Sequence, residues 1–258
     1  MTDPLRVERR DHVAVLTLNL PDRRNAMTAE LTSAWVDAVA ALKADQDVRA
    51  VVVTGAGSAF CAGGDLSWIG ESPDLSVVAL RDRMLPFYRQ WLSIREVPVP
   101  TIAAVNGHAV GAGLCLALAC DIRYASTGAT FSAPFARLGM HAGMAATYLL
   151  PEAVGLARAR EMLLTGRRVG SDEALAIGLV SGVYEPTELV DEVVEIARIV
   201  ADSAPIAVRL TKAGLQQEGM ERALQWEALA QPITMASADL REGLAAQAER
   251  RPPRFTGS

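Results

Sequence analysis

The order of strands and helices along the chain is the feature that most constrains its fold. Short apolar runs alternate with stretches of helical periodicity. The apolar runs lie at 48–54 and 101–105, a further strand is predicted at 121–126, and the helical stretches lie at 28–42, 76–95 and 114–119. Strands that alternate with helices need crossover connections, which place the strands parallel in one sheet. An earlier pair of runs flanks Asp11 and predicts a hairpin. The sequence therefore predicts an α/β fold with a mostly parallel sheet.

Composition and charge narrow the class of protein. The chain has 258 residues, of which 50% are hydrophobic and 21% charged, as expected for a large globular core. A net charge of -5 argues against nucleic acid as a partner, because phosphate binding requires clustered Lys and Arg. Three cysteines are too few, and odd in number, for a disulfide framework. We therefore expect a reducing compartment and a cytoplasmic protein.

One long uncharged stretch, residues 101–120, has the length of a membrane span. It contains Asn106, His108 and three glycines, and it follows Pro98 and Pro100. These residues favour a buried strand that runs into a buried helix. We expect no membrane span, and residues 1–10 contain no apolar signal segment.

The C-terminal part is predicted to be helical. Residues 131–144, which include Pro134, Gly139 and Gly143, are predicted to be irregular. Helical patterns follow at 157–164, 171–177, 187–201 and 206–250. The polar residues before Pro205 mark a boundary. We predict an α/β core that binds the ligand at 1–201 and a helical oligomerisation region at 202–258.

Two glycine-rich turns share one design, in which a strand is followed by small residues that lead toward a helix. The first turn is residues 62–65 (AGGD) and the second is 111–113 (GAG). A helix N-terminus presents unpaired N–H donors, and two such donors converging on one point would stabilise an oxyanion or enolate. The alternative is that both turns only allow tight packing. A phosphate-binding loop is not indicated, because no Gly-Lys-Ser/Thr follows either turn.

The flanks of the two turns carry a family resemblance. Residues 60–66 (FCAGGDL) and 104–113 (AVNGHAVGAG) resemble the two signature segments of the enoyl-CoA hydratase/isomerase (crotonase) family. Further matches lie at 25–27, 119–123, 164–166, 178–180 and 249–253. The resemblance implies a crotonase-like spiral of ββα units with a helical C-terminal trimerisation region, assembled as a homotrimer or hexamer. It also implies an acyl-CoA substrate. Since coenzyme A is then part of the substrate, we expect no separate cofactor and no metal.

The resemblance also implies roles for individual residues. It places the two oxyanion-hole N–H groups on Gly64 and Ala112. The residues it places near the CoA adenine and pantetheine are Arg24, Ala26, Ala62, Asp65 and Leu66. Gly111, Phe135 and Gly143 are further candidates for binding the substrate. It places Arg250 where a neighbouring subunit supplies a cation to the CoA phosphates. The alternative for Arg250 is one charge on a solvated helix.

The sequence departs from the family where proton transfer is expected. The positions of the two hydratase glutamates are occupied by Cys115 and Phe135, and the position of an isomerase aspartate by Gly143. His141 is a candidate proton carrier, because histidine titrates near neutral pH. The alternative is that His141 lies beside the pocket and hydrogen-bonds a backbone carbonyl. Two acids of the 67–75 segment, Glu71 and Asp74, could also reach the pocket.

Two functions from different classes follow. The first is an enzyme of fatty-acid or related acyl-CoA metabolism that polarises a thioester and uses an unidentified proton carrier, with efficient hydration not expected. The second is a non-catalytic acyl-CoA binding protein that keeps the paired N–H groups as an anchor. A family hydratase with residual activity lies between them.

Overall fold

The N-terminal hairpin forms as predicted. We use a computed structural model, in which residues 3–65, 67, 75–203, 205–215, 220–251 and 253 are described. Strands β1 (Leu5–Arg10) and β2 (Val13–Leu18) pair antiparallel. Asp11 in the turn between them has a φ of 57°, in the left-handed region that short polar side chains tolerate best after glycine.

The large sheet is parallel beyond this hairpin. Its further strands are β3 (Ala50–Gly55), β5 (Thr101–Val105), β7 (Ile122–Ser126) and β10 (Val183–Tyr184), in the order β1-β2-β3-β5-β7-β10. The predicted parallel arrangement is confirmed. Val51 and Val53 pack into one hydrophobic cluster, whereas Val52 packs into another on the opposite face. Both faces are thus covered, which explains why β3 is apolar throughout.

A smaller sheet lies beside the large one. Its strands are β4 (Ala59–Cys61), β6 (His108–Val110), β8 (Thr130–Ser132) and β9 (Arg168–Gly170), in that order. In each turn of the chain, a strand of the large sheet is followed by a strand of the small sheet: β3 by β4, β5 by β6, and β7 by β8. This repeat is the spiral of ββ units, followed by helices, that the family resemblance implies.

Helices cover the sheets. They are α1 (Ala29–Ala44), α2 (Val77–Leu92), α3 (Ala112–Ala119), α4 (Ala146–Thr165), α5 (Ser171–Ala176) and α6 (Leu189–Ala201), with 3-10 turns at Pro21–Arg23, Ser93–Glu96 and Ala136–Leu138. Thr28 caps α1, since its hydroxyl accepts from the Leu31 N–H. The rings of Trp35 and Trp91 stack at 5.0 Å and join α1 to α2.

Two predicted segments change and one is confirmed. Helix α4 begins at Ala146 rather than at residue 157, and it is broken at Gly155, whose φ of 73° and ψ of 160° are not helical. Residues 131–144 include the end of β8 and a 3-10 turn, so they are less irregular than predicted. The uncharged stretch 101–120 contains β5, β6 and α3, which confirms the buried strand and helix. Within the described ranges, no helix is long and apolar enough to cross a bilayer.

The C-terminal helices pack directly on the core. They are α7 (Pro205–Leu215), α8 (Met220–Met235) and α9 (Ala238–Ala248). Leu224, Ala228 and Leu240 belong to the same buried cluster as the core strands and helices. Helix α9 approaches so closely that a Cβ atom on Gly243 would lie 2.5 Å from the carbonyl oxygen of Leu138. The predicted boundary at 201/202 coincides with the end of α6, and the oligomerisation role of 202–258 stays a prediction.

A buried cation links α7 to the residues just before β5 and β7. Lys212 is only 6% exposed, and its Nζ lies 2.8 Å from Asp121 Oδ2 and donates to the carbonyl oxygen of Val99 at 2.9 Å. Asp121 also accepts from the N–H and the hydroxyl of Thr101, at 2.7 and 2.9 Å. This carboxylate therefore links α7, the end of α3 and the start of β5.

We predict that Asp121→Ala destabilises the fold by about 2 to 3 kcal/mol, because it leaves the Lys212 ammonium buried without its carboxylate partner. This loss of stability is small for the breaking of a buried ion pair, because the Asp121 side chain is 33% exposed. Urea unfolding measures the change. The matched control is Asp37→Ala, an exposed aspartate on α1, which we expect to change stability by no more than about 0.5 kcal/mol. Equal effects of the two substitutions would contradict the prediction.

Candidate active site

A cavity of about 640 Å³ lies between the two glycine turns and helices α1, α2 and α8, a size typical of small-molecule sites. Apolar side chains make up most of its lining. They include Met27, Val36, Met84, Phe87, Val110, Phe135, Leu138, Met140 and Met144. Such a lining suits an aliphatic or aromatic group, since each buried methylene contributes about 0.8 kcal/mol.

The two glycine turns contact each other backbone to backbone. A Cβ atom on Gly113 would lie 2.1 Å from the carbonyl oxygen of Cys61, and one on Gly107 would lie 2.1 Å from that of Ser58. A Cβ atom on Gly63 would lie 2.7 Å from Val110 O. Only glycine permits these approaches. The turns therefore meet at one edge of the cavity because their side chains are absent.

Two asparagine amides hold the loop that precedes the first turn. Asn25 is fully buried, and its Nδ2 donates to Ala59 O at 2.7 Å while its Oδ1 accepts from the Leu20 N–H at 2.9 Å. Asn106 Oδ1 accepts from the Gly55 N–H at 3.0 Å. Buried polar groups that are fully hydrogen-bonded fix a loop in one conformation. Asn25 and Asn106 thus position β4 and the turn that follows it.

The pairing of the first turn leaves the Gly64 N–H without an acceptor among the described residues. The Met27 N–H donates to Gly63 O at 2.8 Å, in a parallel bridge between Met27 and Gly64. A trans peptide directs its C=O and N–H in opposite directions, so the Gly64 N–H points away from Met27. No hydrogen bond between described residues uses this N–H. Gly64 lines the cavity.

The Ala112 N–H lies at the start of α3 and has no acceptor among the described residues. Gly111 has a φ of 55° and a ψ of -118°, which turns the chain into the helix, and its N–H donates to Ser132 O at 2.9 Å. Ala112 is the first residue of α3, so its N–H has no acceptor within the helix. Ala112 and Gly111 also line the cavity. The structure thus places two unused backbone donors, at Gly64 and Ala112, on one cavity wall.

The residues predicted to contact coenzyme A are grouped around the first turn. The Ala62 N–H donates to the carbonyl oxygen of Arg24 at 2.9 Å, and Ala62 and Asp65 line the cavity. Ala26 is half-buried and Arg24 is exposed, with a φ of 51°. Neither of these two residues lines the cavity. Leu66, Glu71 and Asp74 lie outside the described residues.

Asp65 is held as a carboxylate. Arg23 donates to its Oδ2 at 2.9 Å and the Ser67 N–H donates to its Oδ1 at 3.1 Å. Partial burial acts to raise its pKa, but the hydrogen bonds from Ser67 and the charge of Arg23 together lower the pKa below its ordinary value. Asp65 is also the only carboxylate among the described residues that line the cavity.

The positions where the family resemblance expects acids carry no titrating carboxylate. Phe135 lines the cavity, and its ring lies 3.7 Å from where a Cβ atom of Gly111 would be. Cys115 is buried on α3, and its Sγ donates to the carbonyl oxygen of Gly143 at 3.5 Å. Gly143 itself lines the cavity. The other two cysteines, Cys61 and Cys120, are fully buried, and burial raises the pKa of each thiol to about 12.

His141 and Arg250 lie apart from the described cavity wall. The ring Nδ1 of His141 is 2.6 Å from the carbonyl oxygen of Ala142. The backbone N–H of His141 donates to the Thr234 hydroxyl at 2.8 Å. This is the arrangement of the structural alternative, with the ring against a backbone carbonyl. Arg250 is exposed just beyond α9 and has a φ of 55°. Among the described residues, no cluster of His, Cys, Asp or Glu could hold a metal ion.

Several cavity residues escaped the sequence analysis. Met84, Phe87 and Tyr88 reach the cavity from α2, and Gln231 reaches it from α8. A signal existed for α2, because Leu80, Met84 and Tyr88 recur every four residues and mark its buried face. No comparable signal singles out Gln231, whose position depends on how α8 packs in the tertiary structure.

The spiral fold and the paired glycine turns are shared with a known protein family. The family model described as enoyl-CoA hydratase/isomerase matches residues 8–258. The chain therefore belongs to the enoyl-CoA hydratase/isomerase (crotonase) family.

Individual relatives are similar over almost their whole length. The chain is 39% identical to a putative enoyl-CoA hydratase of Thermus thermophilus, covering 95% of this chain and 97% of the relative. It is 38% identical to the (E)-benzylidenesuccinyl-CoA hydratase of Thauera aromatica, covering 99% and 100%. An enoyl-CoA hydratase/isomerase structure from Pseudoalteromonas atlantica matches with a TM-score of 0.86 and 38% identity, covering 98% of this chain and 100% of that one.

We predict that Gly113→Ala destabilises the protein by about 3 kcal/mol or prevents its folding, because the new methyl would overlap the backbone of Cys61 and nothing flexible can yield. Gly128→Ala is the matched control, since a Cβ atom there meets nothing within 4 Å. We expect the control to change stability by less than about 1 kcal/mol. Thermal unfolding of both variants measures the difference. A Gly113→Ala protein as stable as the control would show that the two turns do not meet as described.

Proposed function

We propose that this chain binds the CoA thioester of an acyl group in the described cavity and stabilises its oxyanion or enolate with the N–H groups of Gly64 and Ala112. The observation that carries the proposal is the placement of these two unused donors on one wall of an apolar cavity. Preorganised donors of this kind lower the barrier of thioester chemistry, because negative charge develops on the carbonyl oxygen. The reaction class is hydration or isomerisation of an acyl-CoA in fatty-acid or related metabolism.

Coenzyme A would lie along the first turn. Ala62 and Asp65 line the cavity, the Arg24 carbonyl oxygen accepts from the Ala62 N–H, and Ala26 precedes Met27, which pairs with the same turn. We propose that these residues contact the pantetheine and adenine, with Leu66 completing the set. A homotrimer or hexamer remains our proposal for the assembly, and in it Arg250 of a neighbouring copy would face the CoA phosphates.

A second function is favoured by a specific observation. Asp65 is the only carboxylate on the described cavity wall, and it is engaged by Arg23 and Ser67. Hydration needs one group to deprotonate water and another to protonate carbon. The alternative is therefore a protein that binds acyl-CoA and does not turn it over. The two functions differ in turnover but share the same binding geometry.

We predict that Ala112→Pro weakens binding of butyryl-CoA about tenfold, because it removes one N–H donor to the thioester oxygen. Proline is tolerated at the first position of a helix, so α3 is expected to form. Calorimetric titration of butyryl-CoA measures the change. Coenzyme A alone has no thioester carbonyl and should bind equally to both proteins. Ala112→Ser, which keeps the N–H, is the matched control. Unchanged butyryl-CoA binding by a folded Ala112→Pro protein would contradict the proposed contact.

We predict little hydration of crotonyl-CoA by the natural protein. The double variant Cys115→Glu plus Phe135→Glu should raise hydration, since a positioned acid or base typically contributes about 10²–10⁴-fold. Mass spectrometry of the CoA esters after timed incubation measures the product.

The matched control is Cys115→Gln plus Phe135→Gln, which has the same bulk and no carboxylates. A similar rate for the glutamate and glutamine variants would contradict the assignment of these positions. Fast hydration by the natural protein would contradict the prediction itself, and loss of that activity in His141→Ala would identify His141 as the proton carrier.

A further inference from the structure

Gln231 places a hydrogen-bond acceptor without a donor in the cavity wall. Its side chain comes from α8, lines the cavity and is only 5% exposed. Its Nε2 donates to the carbonyl oxygen of His141 at 3.2 Å, which fixes the orientation of the amide. Its Oε1 accepts no hydrogen bond from any described residue. A buried acceptor left without a donor destabilises a fold, so such an atom in a binding cavity points to a donor on the ligand.

A second polar group lies beside it. A Cβ atom built on Gly143 would lie 2.8 Å from Gln231 Oε1 and 2.5 Å from the hydroxyl oxygen of Tyr88. Tyr88 belongs to α2 and also lines the cavity. Side chains from two helices therefore converge on one point beside Gly143. Because residue 143 has no side chain, the two polar side chains can approach its Cα closely.

This polar point is close to the end of the cavity where the thioester would bind. Cys115 Sγ donates to Gly143 O at 3.5 Å, and Cys115 follows Ala112 by three residues on α3. Three residues of helix span about 4.5 Å. The polar point thus lies against the same helix whose first N–H we propose as a donor to the thioester, whereas the methionines and Phe87 elsewhere on the wall suit hydrocarbon.

We propose that Gln231 determines substrate specificity, with its Oε1 accepting a hydrogen bond from a hydroxyl group carried by the acyl chain beside the Tyr88 hydroxyl. The cavity then selects hydroxylated acyl-CoA esters over hydrocarbon esters of the same length. This inference rests on the proposed function, since it requires the acyl group to lie in this cavity.

The test compares matched esters by calorimetric titration of the whole protein. The probes are butyryl-CoA, the two enantiomers of 3-hydroxybutyryl-CoA, and 4-hydroxybutyryl-CoA, each checked by mass spectrometry before and after titration. We expect at least one hydroxylated ester to bind about tenfold more tightly than butyryl-CoA, the size of effect expected from one neutral hydrogen bond. Gln231→Met has similar bulk and no acceptor oxygen, and it should reduce this preference to less than about twofold. The matched control is Gln247→Met, at an exposed position at the end of α9, which should keep the preference.

The possible outcomes separate this inference from the proposed function. If butyryl-CoA binds but no hydroxylated ester binds more tightly to the natural protein, the inference is overturned and the proposed function stands, whether or not the variant folds. A preference that survives in Gln231→Met overturns the role of Gln231. If none of the esters binds, both the inference and the proposed function are overturned.

Discussion

The close contact between two backbone segments is the constraint on which the site depends. The carbonyl groups of Ser58 and Cys61 occupy the space that side chains would need at residues 107 and 113. This contact aligns β4 with β6, joins successive turns of the spiral and sets the peptide of Gly64 near the N-terminus of α3. Asn25 and Asn106 fix the same region through their side-chain amides. Backbone contacts and these two amides thereby hold two donors from distant parts of the sequence in place. Such preorganisation is what the proposed stabilisation of a developing charge requires.

The helices of the C-terminal part complete the cavity rather than merely cover the core. Gln231 contributes a polar atom to the wall, and α9 packs against the segment that carries Leu138 and Gly139. The ion pair of Lys212 and Asp121 anchors α7 near the starts of β5 and β7. The shape of the cavity therefore depends on residues beyond 201 as well as on the spiral core. A change in how these helices pack would alter ligand selection without touching the two glycine turns.

The sequence predicted the large sheet, the hairpin, most helices and the two glycine turns, because apolar periodicity and glycine patterns are local signals. It missed strands β4 and β6, since three residues are too few to show a period of two, and their pairing depends on contacts far apart in the chain. Among the candidate site residues, the glycine turns indicated a pair of backbone donors, and the family resemblance assigned them to Gly64 and Ala112. Tyr88 and Gln231 could not be placed, because nothing local shows that α2 and α8 meet beside Gly143. His141 was proposed from its chemistry alone, and its ring contacts the carbonyl oxygen of Ala142.

The methionines that line the cavity make its shape adaptable. Met27, Met84, Met140 and Met144 line one pocket, and each is at most 8% exposed. Unbranched thioether chains change conformation at little cost, so the wall can adapt to acyl groups of different outline while the polar atoms stay fixed. The same thioethers are open to oxidation, and a sulfoxide would put a strong dipole into an apolar wall. Oxidative stress would thus damage ligand recognition while the buried thiols, with their high pKa values, remain intact.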